Sequence, residues 1–243
     1  MSGKNLVICP VFNEEQTIEM FYENLRSYYK GPVLFVNDGS KDKSRNEILN
    51  IADDNTYIIR HPERYGYGQA LISGFNFAVK HNYEKIVTLD TDLQHNPKDI
   101  PMFLRFLEQA SVVLGSRYVR IDNCLDVPRS RLVINRYISK LIKLRFGYDF
   151  TDPFCGFRAY RRSFLENIRL KETSYGLSLE LLLEIVRTRT YFKEVSIEAI
   201  YFQANRKFLD GLDQPRKRLL YYLEVIGRKN REIMEEVLSS RFV

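Results

Sequence analysis

The sequence predicts an α/β protein: a mostly parallel central sheet with helices on both faces, plus a C-terminal amphipathic helix. Three observations carry this. Short apolar runs alternate with amphipathic stretches through the N-terminal half, the pattern of parallel strands joined by crossover helices. Three of the apolar runs end in polar turns, as strand ends bordering a ligand crevice do. The chain of 243 residues, 44% hydrophobic and 28% charged, has matter for one well-buried domain with or without an appendage.

The elements follow in order. Residues 6–11 read as the first strand; residues 14–29 carry Ile18, Phe21, Tyr22 and Leu25 at helical spacing, and Gly31-Pro32 ends that helix. Then come a strand at 33–36, a helix at 42–53, a strand at 57–59, a helix at 69–81 and a strand at 86–89. A helix at 97–107 has proline in its first turn, and 112–114 is a further strand. From Ser116 the rhythm changes to a polar loop with Asp122, Asn123, Asp126 and Pro128, then a basic amphipathic stretch at 131–146. Residues 151–156 are a punctuated turn, 177–188 an apolar helix and 192–201 a late strand. Residues 214–238 read as a long helix: Leu219, Leu220, Leu223, Ile226, Ile233 and Val237 recur at three to four residue intervals, while Arg216, Lys217, Arg228, Lys229 and Arg231 stay on its polar side. The reading is one domain over 1–204 and a basic helical tail over 205–243.

Charge is segregated. Residues 117–145 carry a net +6 and residues 205–231 a net +5, so the rest of a chain of net +6 stands at −5. The two positive segments call for something anionic: a phosphorylated substrate, an anionic membrane surface or nucleic acid. Cys9, Cys124 and Cys155 are odd in number and lack metal-type spacing, which argues against a disulfide framework or zinc site. No run of about 18 apolar residues and no signal-peptide core is present, so the expectation is a cytoplasmic protein without a transmembrane segment.

The richest local signal is Asp90-Thr91-Asp92-Leu93-Gln94 at the end of the 86–89 strand. Residues two apart on a strand share a side, so Asp90 and Asp92 can converge on one ion and Gln94 adds a carbonyl oxygen. Hard oxygen ligands suit Mg2+ or Mn2+, whose shell is completed by substrate phosphates. The first strand ends in Pro10-Val11-Phe12-Asn13-Glu14 and the second in Asn37-Asp38-Gly39-Ser40, so these turns and the Asp90 cluster line one crevice. Gly66-Tyr67-Gly68-Gln69-Ala70-Leu71 has leucine at the third glycine position of a dinucleotide fingerprint and follows the wrong strand. His61, His81 and His95 are not spaced as metal ligands, though His95 could sit behind one.

PVFNEEQTI (10–18), VNDGSKDKS (36–44), RYGYGQALISGF (64–75), TLDTDLQHNP (88–97), GSRYV (115–119) and DPFCGFRAYRR (152–162), in this order, resemble glycosyltransferase family 2. Within it they look like the dolichol-phosphate mannosyltransferases and bacterial polyprenyl-phosphate glycosyltransferases. The resemblance implies a GT-A, Rossmann-like fold and an inverting transfer of a hexose from a nucleoside diphosphate sugar, GDP-mannose or UDP-glucose. It implies that Pro10, Phe12, Glu14 and Asp38 line the nucleoside pocket, that Asp90, Asp92 and Gln94 hold the ion, and that Arg206 assists the departing diphosphate. The family's Gly-x-Ser-Lys after that arginine is not reproduced; the chain reads Lys207-Phe208-Leu209-Asp210.

The acceptor sets the narrower function. A sugar hydroxyl needs a general base near neutral pH, whereas a lipid phosphate is already an anion and needs binding charge instead. The phosphate-acceptor pattern resembles Gly115-Ser116-Arg117-Tyr118 followed by Arg131, Asn135 and Arg136, with Asn135 standing where those enzymes have serine. These residues are the expected acceptor-phosphate ligands, with Arg117 and Arg131 at the reaction centre beside Asp90 and Asp92. Residues 1–116 would form the nucleotide-sugar half and 117–204 the acceptor half. The rival reading is a hydroxyl acceptor with Asp152 as base; a nucleotide-sugar binder without turnover is a third. The expected partners are a polyprenyl phosphate and the cytosolic membrane face, on which basic amphipathic helices rest, with a homodimer or a separate membrane-anchor subunit possible. Nucleic acid is not expected, since no recognised module accompanies the basic segments.

Overall fold

The computed structural model describes residues 4–119, 129–198, 200 and 211–241, with side chains described to residue 235 of the last segment. Among them, seven strands form one sheet: β1 (Asn5–Val11), β2 (Val33–Asn37), β3 (Thr56–Arg60), β4 (Lys85–Thr88), β5 (Val112–Ser116), β6 (Arg158–Arg161) and β7 (Phe192–Ser196). Their order is β3-β2-β1-β4-β6-β5-β7, and all pairings are parallel except those of β6, which runs antiparallel to β4 and β5. The helices are α1 (Ile18–Tyr28), α2 (Ser44–Ile51), α3 (Tyr67–Lys80), α4 (Ile100–Phe106), α5 (Arg129–Phe146), α6 (Arg162–Glu166), α7 (Leu177–Thr188) and α8 (Pro215–Arg241).

Strand alternation distributes the core over two faces. Leu6 and Ile8 of β1 face one core with Leu71, Phe75 and Ala78 of α3, Ile138 of α5 and Leu181 of α7. Val7, Cys9 and Val11 face the other with Phe21 and Leu25 of α1 and Phe103 of α4. Parallel registry places Val11 beside Asn37 and Ile8 beside Thr88, so the carboxyl ends of β1, β2 and β4 open on one edge. That edge is where ligands bind in such sheets.

The structure differs from the expectation at several points. β6 falls in a stretch left unassigned, because Arg158-Ala159-Tyr160-Arg161 does not read as a buried strand; Arg158 is nonetheless 2% exposed, its guanidinium donating to the carbonyls of Cys155, Ser178 and Pro153 at 2.8 Å each. β7 stops at Ser196 and does not run on to 201. β4 stops at Thr88, so strand alternation is not what brings Asp90 and Asp92 together. A turn does: Leu93 is left-handed (φ 62°) and the Gln94 N–H donates to Asp92 Oδ1 at 3.1 Å. Finally, Lys229 of α8 belongs to a contact face and not to the solvent side: it is 4% exposed and pairs with Glu184 of α7 and, at 3.0 Å, with Glu232. With Tyr222, Val225 and Ile226 buried in the core, α8 is docked on the domain. Among the described residues no helix is long and apolar enough to cross a membrane.

Candidate active site

A cavity of about 210 Å³ opens at the carboxyl edge of the sheet. The turns after β1 and β2 form its first wall and are tied together: the Asn13 N–H donates to Ser40 Oγ (3.1 Å), the Lys41 N–H to Asn13 Oδ1 (2.9 Å) and the Glu14 N–H to Ser44 Oγ (2.7 Å). Pro10, Phe12, Glu14 and Asp38 all reach the cavity. Asp38 is 3% exposed and also organises the loop before α3. It accepts from the Tyr65 and Gly66 N–H groups at 2.8 Å and contacts His61 Nδ1 at 2.7 Å, while His61 Nε2 lies 2.9 Å from Ser73 Oγ. Gly66 at φ 111° allows that turn, and a side chain there would run into the Thr173 carbonyl. The loop delivers Arg64 over the Phe12 ring, 5.1 Å from its centroid.

The Asp90 cluster forms the floor. Asp90, Asp92 and Gln94 line the cavity together. Asp90 Oδ1 accepts from the Tyr67 hydroxyl at 2.9 Å; burial, reinforced by the Asp90 charge, pushes that phenol well up, so it stays protonated and donates. His95 is buried, and desolvation holds its imidazole down at about 4, hence neutral near pH 7. Its Nδ1 has no hydrogen-bond partner and lies 3.9 Å from Asp90 Oδ2. Gly156 faces the same carboxylate: a Cβ there would run into Asp90 Oδ2 and lie 2.9 Å from the Tyr67 oxygen.

The opposite wall is cationic. Arg117, Arg131, Asn135 and Arg218 face the cavity, with Phe154 and Tyr222 beside them. Asp152, 2% exposed, holds two of these: it accepts from Arg117 Nε at 2.7 Å and Nη2 at 3.0 Å, from the Arg117 N–H at 3.2 Å and from Asn135 Nδ2 at 2.9 Å. The fork against both carboxylate oxygens fixes the guanidinium plane. Asn135 thus spans from α5 to the Asp152 loop. Arg136 is not brought in; Ile134, Asn135 and Ile138 turn inward and leave it on the exposed face of α5. Arg206 lies outside the described residues.

Residues 6–169 match the glycosyl transferase family 2 profile, over more than half of the chain. The chain belongs to glycosyltransferase family 2. Undecaprenyl-phosphate mannosyltransferase of Micrococcus luteus is 27% identical to this transferase over 85% of this chain and 87% of its own. A UDP-N-acetylglucosamine–dolichyl-phosphate N-acetylglucosaminyltransferase of Methanococcus voltae is 30% identical over 80% and 85%. The GT-A fold is shared with glucosyl-3-phosphoglycerate synthase of Mycobacterium tuberculosis, solved with Mn2+, uridine-diphosphate-glucose and phosphoglyceric acid: TM-score 0.72, 19% identity, covering 93% of this chain and 80% of that one.

The transferase's residues fit a hard divalent cation. Asp90, Asp92 and Gln94 offer oxygen donors, and Gly156 keeps the space before Asp90 clear. Two carboxylates and an amide leave coordination positions that substrate phosphates would complete. Gly156→Ala should therefore displace Asp90 and lower sugar transfer by about a hundredfold, the order of loss for a misplacement near 1 Å. Wild-type rates in that variant would show that the Asp90 position is immaterial.

Sequence reasoning missed Arg64, Tyr67, Tyr222 and Arg218. The first two stand inside the RYGYGQ motif and were within reach. The α8 pair carries no local signal, since only the docking of that helix brings them to the site.

Proposed function

We propose that this transferase moves a hexose from a nucleoside diphosphate sugar to a polyprenyl phosphate, with inversion, using Mg2+ or Mn2+. The observation that carries this is the commitment of Asp152. The carboxylate that would serve a hydroxyl acceptor as base is buried and occupied by Arg117 and Asn135, so that wall offers cations and an amide where a phosphate would lie. An acceptor phosphate oxygen forms a bond to the anomeric carbon as the bond to the donor diphosphate breaks on the opposite face, with no proton to remove. The cation, when bound, neutralises charge growing on the diphosphate. Asp90, Asp92 and Gln94 would hold the cation, Tyr67 orients Asp90, and Arg117 and Arg131 bind the attacking phosphate. The names of the Micrococcus and Methanococcus relatives, with undecaprenyl and dolichyl phosphate as acceptors, support the acceptor class. Under this reading residues 1–116 serve the donor, GDP-mannose or UDP-glucose, and 117–204 the acceptor.

A screen of nucleotide sugars against a short polyprenyl phosphate, with either metal, tests it. Product with a saccharide acceptor and none with the lipid would overturn it. Arg131→Ala should raise the KM for the lipid phosphate by about tenfold or more, the worth of one charge-assisted contact, and the donor KM far less. Equal effects on both would move Arg131 to the donor side.

The membrane supplies the acceptor, and the outer face of α5 suits its cytosolic surface. Val133, Tyr137 and Leu144 are 65%, 51% and 76% exposed and alternate with exposed Arg129, Arg136 and Lys140. Apolar groups enter the headgroup boundary while the cations meet anionic lipid. Arg136, absent from the cavity, has its role here. Val133→Asp with Leu144→Asp should abolish flotation with anionic vesicles while leaving turnover of a short soluble acceptor; unchanged flotation would exclude this face.

A further inference from the structure

α8 packs on the domain and lends two side chains to the cavity. Arg228 Nη2 donates to Glu172 Oε2 at 2.6 Å; the Tyr221 hydroxyl donates to Glu172 Oε1 at 2.6 Å and accepts from the Gly176 N–H at 2.9 Å. The Lys229 pair with Glu184 fixes the next turn. The first turns are thereby held over the cavity mouth, and Arg218 and Tyr222, four residues apart on one helix face, line it.

Both side chains are buried, at 4% and 3% exposure. Arg218 Nη1 donates to the Leu212 carbonyl at 3.1 Å, which anchors the guanidinium at the helix start. Arg131 faces the same space. Burial lowers the Arg218 guanidinium, Tyr222 opposes this, Arg131 adds to it and Asp213 opposes it in turn. Arg117, Arg131 and Arg218 line one cavity, a clustering of guanidinium groups that suits an anion such as a phosphate. Tyr222 lies against Phe154, ring centroids 4.4 Å apart and planes at 29°, with Ile134 also lining the cavity. This flat apolar wall adjoins the cations. A phosphate joined directly to a hydrocarbon matches that pairing; a small polar phosphoester such as phosphoglycerate would leave the wall bare.

We infer that α8 completes the acceptor site: Arg218 contacts the acceptor phosphate, and the Tyr222–Phe154 wall receives the isoprene unit next to it. This rests on the polyprenyl-phosphate reading above. It extends the acceptor site from the 117–204 segment into the tail, and makes α8 a determinant of lipid over small phosphorylated acceptors.

The test uses the full chain, farnesyl phosphate as acceptor, the donor selected by the nucleotide-sugar screen, and inorganic phosphate as competing inhibitor. Arg218→Gln should raise the KM for farnesyl phosphate and the inhibition constant for phosphate each by about tenfold to a hundredfold, with the donor KM as reference changing less than about twofold. Arg218→Lys should recover part of both. Tyr222→Ser should raise the farnesyl phosphate KM by about tenfold and leave phosphate inhibition alone, whereas Tyr222→Phe, which keeps the ring, should match wild type. An unchanged acceptor KM in Arg218→Gln, or a donor KM rising in step with it, overturns the assignment of Arg218. Should Arg218→Gln fail to fold, Arg218→Lys decides the same point with a smaller rise. A Tyr222→Ser variant that weakens phosphate and farnesyl phosphate equally overturns the assignment of the wall. Wild-type enzyme inactive on every isoprenyl phosphate would instead sink the acceptor reading itself.

Discussion

Asp92→Ala is expected to lower metal-dependent sugar transfer by about a thousandfold or more, the scale of losing several kcal/mol of transition-state charge stabilisation. Asp92 is partly exposed, and the Gln94 N–H donates to its Oδ1 at 3.1 Å, a turn contact whose loss costs about 1 kcal/mol. Asp92→Asn refines the point, since an amide oxygen can still close that turn but brings no charge. Both variants should lose turnover and only the alanine should perturb the loop. Rates measured against Mg2+ and Mn2+ concentration, alongside melting temperature, make the comparison. A chelator should silence the wild type reversibly, whereas a variant with full transfer at low metal would remove Asp92 from the ion site.

Much of this site was legible because its parts are local. Three strand ends running into polar turns place Pro10, Phe12, Glu14, Asp38, Asp90, Asp92 and Gln94 on one edge, and they line one cavity. A left-handed turn at Leu93, and not strand alternation, shapes the aspartate cluster. What stayed hidden depends on neighbours distant in sequence. Arg158 disguises a central strand because its charge is answered by three carbonyls from the 153–155 loop and α7. Lys229 reads as solvent-facing until Glu184 and Glu180 of α7 meet it. Arg218 and Tyr222 become site residues only when that docking is made, and a periodicity cannot say against what a helix packs.

Asp152 separates the two acceptor chemistries, and its replacement is the second large expected effect. If it only holds Arg117 and Asn135, Asp152→Ala leaves a guanidinium and an amide without their buried carboxylate, a loss of about 3–5 kcal/mol in stability for breaking such a pair. The acceptor KM should rise by about a hundredfold, because the fork at 2.7 and 3.0 Å no longer sets the Arg117 plane. In that case Asp152→Ala and Arg117→Ala act through one interaction, and the double variant should be little worse than either single one. A base would behave otherwise: kcat would fall with Asp152 whatever stands at position 117, the losses would multiply, and a hydroxyl acceptor would be turned over by the wild type. Additive losses in that cycle would move this transferase to the saccharide branch. Strong coupling together with a pH-independent kcat on a lipid phosphate would leave Asp152 as the residue that aims Arg117 at the attacking phosphate.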